Sequence, residues 1–139
     1  MPKYWSGHFH HASAILRVAL PTEPAAWSPN TDVYETAEHF IVKLELAGVR
    51  REDLEITLQD RLLIVRGYRH DSCPHRQNRC SFRQMEIDYG HFERRILLPS
   101  PVNASNAQAH YHNGFLRIEL PKVSQPGAPA TTVVIEQIS

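Results

Sequence analysis

The chain has 139 residues, 42% of them hydrophobic, which suits one globular domain with extensions. Fifteen Lys plus Arg balance fifteen Asp plus Glu, whereas nucleic acid or an anionic membrane as the main partner calls for a basic field. No run approaches the ~18 apolar residues of a membrane span, and His8, His10 and His11 interrupt what would be the apolar core of a secretory leader. Two cysteines, Cys73 and Cys80, do not make a disulfide scaffold. A cytoplasmic protein is expected.

Prolines 21, 24 and 29 close off an N-terminal arm, residues 1–26, that carries Trp5, Phe9, Ile15, Leu16 and Leu20. Ile15, Leu16, Ala19 and Leu20 have the spacing of a short amphipathic helix, marginal on its own at this length. From Thr31 the apolar period becomes two. Asp32–Glu35 reads as a short strand, and Phe40, Val42, Leu44 and Leu46 share one face of the next. Arg51–Asp53 has room for one helical turn before the alternating run Leu54–Leu58. Gln59-Asp60 then reads as a tight connection to Arg61–Gly67, whose four successive apolar residues predict burial on both faces.

Residues 68–84 are polar and irregular. Phe92–Leu98 is a further strand ended by Pro99-Ser-Pro101, and Ala107–Tyr111 forms a hairpin with Phe115–Leu120 around Asn113-Gly114. Gly48, Gly90 and Gly114 read as turn residues. Seven short strands without a convincing long helix predict an all-β, immunoglobulin-like β-sandwich. Residues 123–129 have the composition of an exposed tether, and beyond them Val133 and Ile135 have no local core to join. A tethered apolar plug of this kind points to assembly rather than catalysis.

Five motifs in series resemble those of the small heat-shock proteins of bacterial type, built on the α-crystallin domain. They are Trp27-x-Pro29-x-x-Asp32-Val-Tyr-Glu-Thr36; Leu44-Glu-Leu-Ala-Gly-Val49 with Glu52-Asp53; Gly90-His-Phe92-Glu-Arg94 with Leu98-Pro99; Ala109-x-x-x-Asn113-Gly-x-Leu116 with Leu120-Pro121-Lys122; and Val133-Val-Ile135, similar to the family's I-x-I anchor. The resemblance divides the chain into an arm (1–26), an α-crystallin domain (27–122) and a C-terminal extension (123–139). It implies an ATP-independent holdase, not an enzyme and without cofactor, that binds unfolding clients as a homodimer assembling into a larger homo-oligomer.

The resemblance also implies roles for residues. Val133 and Ile135 would anchor in a neighbouring subunit's groove formed by Leu54, Ile56, Leu58, Ala107, Ala109 and Tyr111. Arg94 and Phe82 would belong to the dimer interface. The loop from Tyr68 to Gln84, able to extend about 50 Å, would cross to the partner, and Trp5, Phe9, Ile15, Leu16 and Leu20 would meet clients. Departures from the family pattern are the short arm, Val in place of Ile at position 133, and Cys73, Pro74 and Cys80 in the loop.

Other readings stay open. Val133 and Ile135 can instead pair with an edge strand of their own domain. Arg94, on the face of Phe92, Ile96 and Leu98, calls for a carboxylate partner or snorkels over its apolar neighbours. His70, Cys73, His75 and Cys80 are N and S donors of the kind zinc takes, at a spacing that matches no closed zinc motif, or the two cysteines are a redox pair. His110 and His112 beside the groove could give a pH response. No hydrolase or phosphate-loop motif is present. A monomeric co-chaperone sandwich is the remaining binding-module alternative.

Overall fold

The computed structural model describes residues 24–71 and 80–123 in full and, along the backbone, 4–10, 131–133 and 136–138. The strands are β1 (Tyr4–His10), β2 (Thr31–Glu35), β3 (His39–Glu45), β4 (Leu54–Gln59), β5 (Leu62–Arg69), β6 (Gly90–Leu97), β7 (Gln108–His112), β8 (Phe115–Pro121), β9 (Thr131–Val133) and β10 (Glu136–Ile138). Single 3-10 turns at Arg51–Asp53 and Ala104–Asn106 complete the described elements.

Two antiparallel sheets stack. One runs β2-β3-β8-β7 and the other β4-β5-β6, and β1 and β9 join their near edges into the order β2-β3-β8-β7-β1-β9-β4-β5-β6, with β10 also on β1. The inner faces are those the alternation selects. Phe40, Val42 and Leu44 on β3 meet Leu116, Ile118 and Leu120 on β8, and all six are at most 2% exposed. Ile56, Leu58, Leu63, Val65, Phe92 and Leu98 supply the facing layer. Burying such a side chain stabilises by about 1.5–3 kcal/mol, so this layered core outweighs any single polar contact.

Turns follow the local chemistry. Asn113 and Gly114 both have positive φ, 51° and 81°, as a two-residue hairpin between right-twisted strands requires. Asp60 has φ 55° and, with Arg61, connects Gln59 to its partner Leu62. The connection therefore lies one residue later than the sequence suggests. Gly48 and Gly90 also have positive φ. Gly67 is required for a different reason: a Cβ there would come within 2.5 Å of both the Asp53 carbonyl oxygen and Phe92 Cζ.

Two expectations need correction. Leu62 and Ile64 are only half-buried while Leu63 and Val65 are fully buried, so β5 has one core face, because nothing described covers the outer side of β5 and β6. The count of seven strands omits β1, β9 and β10, since the arm and the tail each add strands to the sandwich. Their partners are about a hundred residues away in the chain, out of reach of a local pattern. The helix expected around Ile15–Leu20 lies outside the described residues.

Candidate functional site: the seam between β4 and β7

The residues assigned to the anchor-accepting groove come together. Ile56, Leu58, Ala107 and Ala109 are at most 1% exposed, Tyr111 is buried and Leu54 packs partly buried against the same core. Inward Ile56 and Leu58 alternate on β4 with Glu55 and Thr57, and Ala109 and Tyr111 on β7 alternate with His110. The backbone edges of the two strands thus lie beside an apolar strip of the core.

Both edges are taken within the chain. The tail strand β9 pairs with β4, Thr132 opposite Thr57 and Thr131 opposite Leu58. The arm strand β1 pairs with β7 from Trp5 opposite Tyr111 to His8 opposite Gln108, and with β9 at Phe9–Val133. These registers agree on faces. Val133 shares a face with Phe9, and Trp5, Gly7 and Phe9 share the face of Tyr111 and Ala109. Val133 is therefore registered on the core side of the predicted groove within this chain. Ile135, and Ile15, Leu16 and Leu20 of the arm, lie outside the described residues.

Tyr111 closes the inner end of the seam. Its hydroxyl donates to the Leu46 carbonyl at 2.7 Å. Burial pushes the phenol above its ordinary 10.0, against the lowering pull of the Val49 and Gly48 backbone and of the charge on Arg69.

The expected dimer residues lie at other edges. Arg94 is half-buried on the face of Phe92 and Ile96. Its Nη1 donates to the Ser28 hydroxyl at 3.2 Å, and its Nε is buried without a hydrogen-bond partner. The expected carboxylate is replaced by a serine, because the opposite residue on β5 is apolar Val65. Phe82 stands 49% exposed with Met85 and Ile87 in the same segment, and β2, the terminal strand of its sheet, exposes Val33 and Tyr34.

Sequence reasoning missed a second cluster at the base of the 70–89 loop. Arg69, the last residue of β5, donates through Nε (2.8 Å) and Nη2 to the Asp88 carbonyl and through Nη1 to the Ala47 carbonyl at 3.2 Å. Its guanidinium lies 4.0 Å from the Trp27 ring centroid. Trp27 in turn donates from Nε1 to the Gly90 carbonyl at 2.9 Å and meets Phe92 edge-on. Arg69 thereby ties the domain's first residues to both ends of the loop. Beside it, His70 Nε2 lies 3.2 Å from Asp53 Oδ2, and the Tyr68 ring contacts both His70 and His91.

Of the loop donors considered for zinc, Cys73 and His75 lie outside the described residues, and Cys80 is an exposed free thiol. Among the described residues no three His, Cys, Asp or Glu side chains are grouped to hold a metal ion. No helix among them is long and apolar enough to cross a membrane.

Residues 32–136 match the model of the Hsp20/alpha crystallin family. The small heat shock protein C2 of Rickettsia felis is 30% identical over 97 residues, 70% of this chain and 62% of that protein. Small heat shock protein C4 of the same organism is matched over 61% of its length, so the similarity spans about three fifths of these two relatives. Heat shock protein 16 of Schizosaccharomyces pombe is 30% identical over 73% of this chain and 71% of its own. Among solved structures, heat shock protein 16.0 from Schizosaccharomyces pombe superposes with a TM-score of 0.66 at 30% identity, covering 81% of this chain and 77% of that one. HspA from Xanthomonas axonopodis does so with 0.62 at 33% identity, over 70% and 96%. An α-crystallin sandwich with its motifs in order, matched over most of its length, identifies the chain as a member of the Hsp20/alpha crystallin family.

Proposed function

We propose that the chain is an ATP-independent holdase that binds unfolding proteins in the cytoplasm and keeps them from aggregating. It works as a homodimer that assembles further, with residues 1–26 as arm, 27–122 as domain and 123–139 as extension. The observation that carries this reading is the pairing of β9 with β4, with Val133 registered on the core side of the predicted groove. The ladder is made of backbone hydrogen bonds, and every copy of the chain presents the same β4 edge. A tail that pairs within its chain can therefore pair equally well with a neighbour, which is the logic of strand exchange.

Magnitudes favour exchange over permanent locking. Fully burying Val133 and Ile135 stabilises by about 1.5–3 kcal/mol each, while ordering each tail residue costs roughly 1–2 kcal/mol. One docked tail is weak. Several on one particle gain through effective concentration. The arm follows the same logic: Trp5 and Phe9 share the face of Tyr111 and Ala109 while β1 is paired, and release of β1 frees them for a client. The exposed β2 edge with Val33 and Tyr34 supplies a dock for the Phe82 segment of a second chain, and Arg94 completes that face.

The test is light scattering of a heat-denaturing protein without nucleotide, alongside the native mass of this chain. Suppressed scattering by particles larger than a dimer is expected. A monomer that protects nothing overturns the proposal, and a monomer that still protects favours the co-chaperone-type module.

A further inference from the structure

The turn at residues 46–49 lies between the loop base and the seam, and its backbone is held from both sides. On the seam side, the Tyr111 hydroxyl donates to the Leu46 carbonyl at 2.7 Å, and the Val49 N–H closes the turn on the same oxygen at 3.2 Å. On the loop side, Arg69 Nη1 donates to the next carbonyl, Ala47, at 3.2 Å. The β7–β8 hairpin fixes the turn from a third direction. The Leu46 N–H donates to the Gly114 carbonyl at 2.7 Å, and a Cβ on Gly114 would come within 3.0 Å of Ala47.

The two adjacent carbonyls sit on rigid peptide planes hinged at Ala47. With Ala47 packed against the hairpin, reorienting one carbonyl reorients the other. Each also leads to a distant segment. Arg69 holds the Asp88 carbonyl at the far end of the 70–89 loop through Nε and Nη2. Tyr111 stands opposite Trp5 in the β1–β7 ladder. The charge on Arg69 also pulls against the burial that raises the Tyr111 phenol, so the two side chains are within electrostatic reach. A contiguous set of described hydrogen bonds therefore joins the stem of the loop to the strand on which the arm is paired.

We propose that Arg69, the turn at 46–49 and Tyr111 couple the 70–89 loop to the arm strand. Displacing the loop stem from Arg69 loosens β1 on β7, and loosening Tyr111 frees the loop stem, since coupling between two sites is reciprocal. In the proposed function, on which this consequence rests, a loop drawn to a second chain would release the arm toward a client. The coupling itself belongs to one chain and is measured without a client, so its failure leaves particle mass and client protection standing as separate tests of that function.

The test is site-resolved amide hydrogen exchange on the full chain and its variants. Arg69→Ala should speed exchange in 4–10 at least about fivefold. Tyr111→Phe should speed exchange at 86–89, at the other end, in the same sense. In the double variant the effect on 4–10 should fall short of the product of the single effects by at least about threefold. Arg69→Lys, which keeps the charge without the planar fork, should act in the same direction and serves if Arg69→Ala does not fold. Leu63→Val weakens the fully buried core of β5 without touching the turn, and should leave 4–10 at the wild-type rate because strand release is a local opening. Unchanged exchange in 4–10 with both Arg69 variants overturns the proposal. So do unchanged exchange at 86–89 in Tyr111→Phe, single effects that simply multiply, or an equal acceleration of 4–10 by Leu63→Val.

Discussion

Replacing Arg69 by alanine removes the tie at the base of the loop. Three donor groups reach two backbone carbonyls, Asp88 and Ala47, and the guanidinium covers the Trp27 ring. Hydrogen bonds to charged groups contribute about 1.5–3 kcal/mol when shielded, but this side chain is half-exposed and solvent screening lowers each to roughly 0.5–1 kcal/mol. The stacked cation adds about 0.5–1 kcal/mol. The loss totals about 2–4 kcal/mol, which at a urea dependence of about 2 kcal/mol per molar lowers the midpoint by about 1–2 M. Arg69→Lys keeps a charge over Trp27 yet has no planar fork for two carbonyls, so it recovers less than half. Amide exchange at 86–89 should quicken in both variants, because Asp88 loses its anchor. A midpoint for Arg69→Ala within about 0.2 M of wild type, or full recovery by lysine, refutes the reasoning.

Gly67→Ala forces a methyl into the Asp53 carbonyl and the Phe92 ring at 2.5 Å. Backbone cannot yield as a side chain does, so a loss near the upper end of about 1–3 kcal/mol is expected in urea unfolding, and wild-type stability contradicts it. Tyr111→Phe removes the hydroxyl's donation to the Leu46 carbonyl, which still accepts from the Val49 N–H at 3.2 Å, at a cost of about 0.5–1.5 kcal/mol near neutral pH. The Tyr111 phenol is held above 10.0 by burial, so the folded state favours its neutral form. That contribution is complete below pH 10 and is lost as pH climbs through the folded value. The stability gap between wild type and Tyr111→Phe should therefore narrow above pH 10, and a constant gap refutes the assignment. Arg94→Ala should give enlarged, polydisperse particles on a sizing column with little loss of domain stability, since among the described residues its side chain hydrogen-bonds to the Ser28 hydroxyl alone; unchanged size contradicts its interface role.

Much of the sandwich was legible because its faces are separated by period two. Phe40, Val42 and Leu44 announce one layer and Leu116, Ile118 and Leu120 its neighbour, while Asn113-Gly114 specifies the connecting turn through two left-handed residues. The inward positions of Ile56, Leu58, Ala109 and Tyr111 were legible for the same reason. The pairing of the β4 and β7 edges with tail and arm was not. Tyr4–His10 does alternate Trp5, Gly7 and Phe9 with Ser6, His8 and His10, but a glycine and two histidines dilute the apolar signal, and the partner strands are remote in sequence. Side chains that act on backbone were invisible too. Nothing in the composition around Arg69 announces the Asp88 and Ala47 carbonyls, and Gly67 reads as an ordinary strand residue until Phe92 is packed against it. Leu62 and Ile64 misled because an apolar run reports hydrophobicity, not which neighbours exist to cover it.

The proposed role rests on β9 exchanging between its own β4 edge and that of another copy. Removing residues 131–139 and measuring native particle mass together with protection of a heated client tests this most directly. The account predicts that the truncated chain falls to dimers or smaller and loses most of its protection. Particles of undiminished mass that protect as well as the full chain would contradict it.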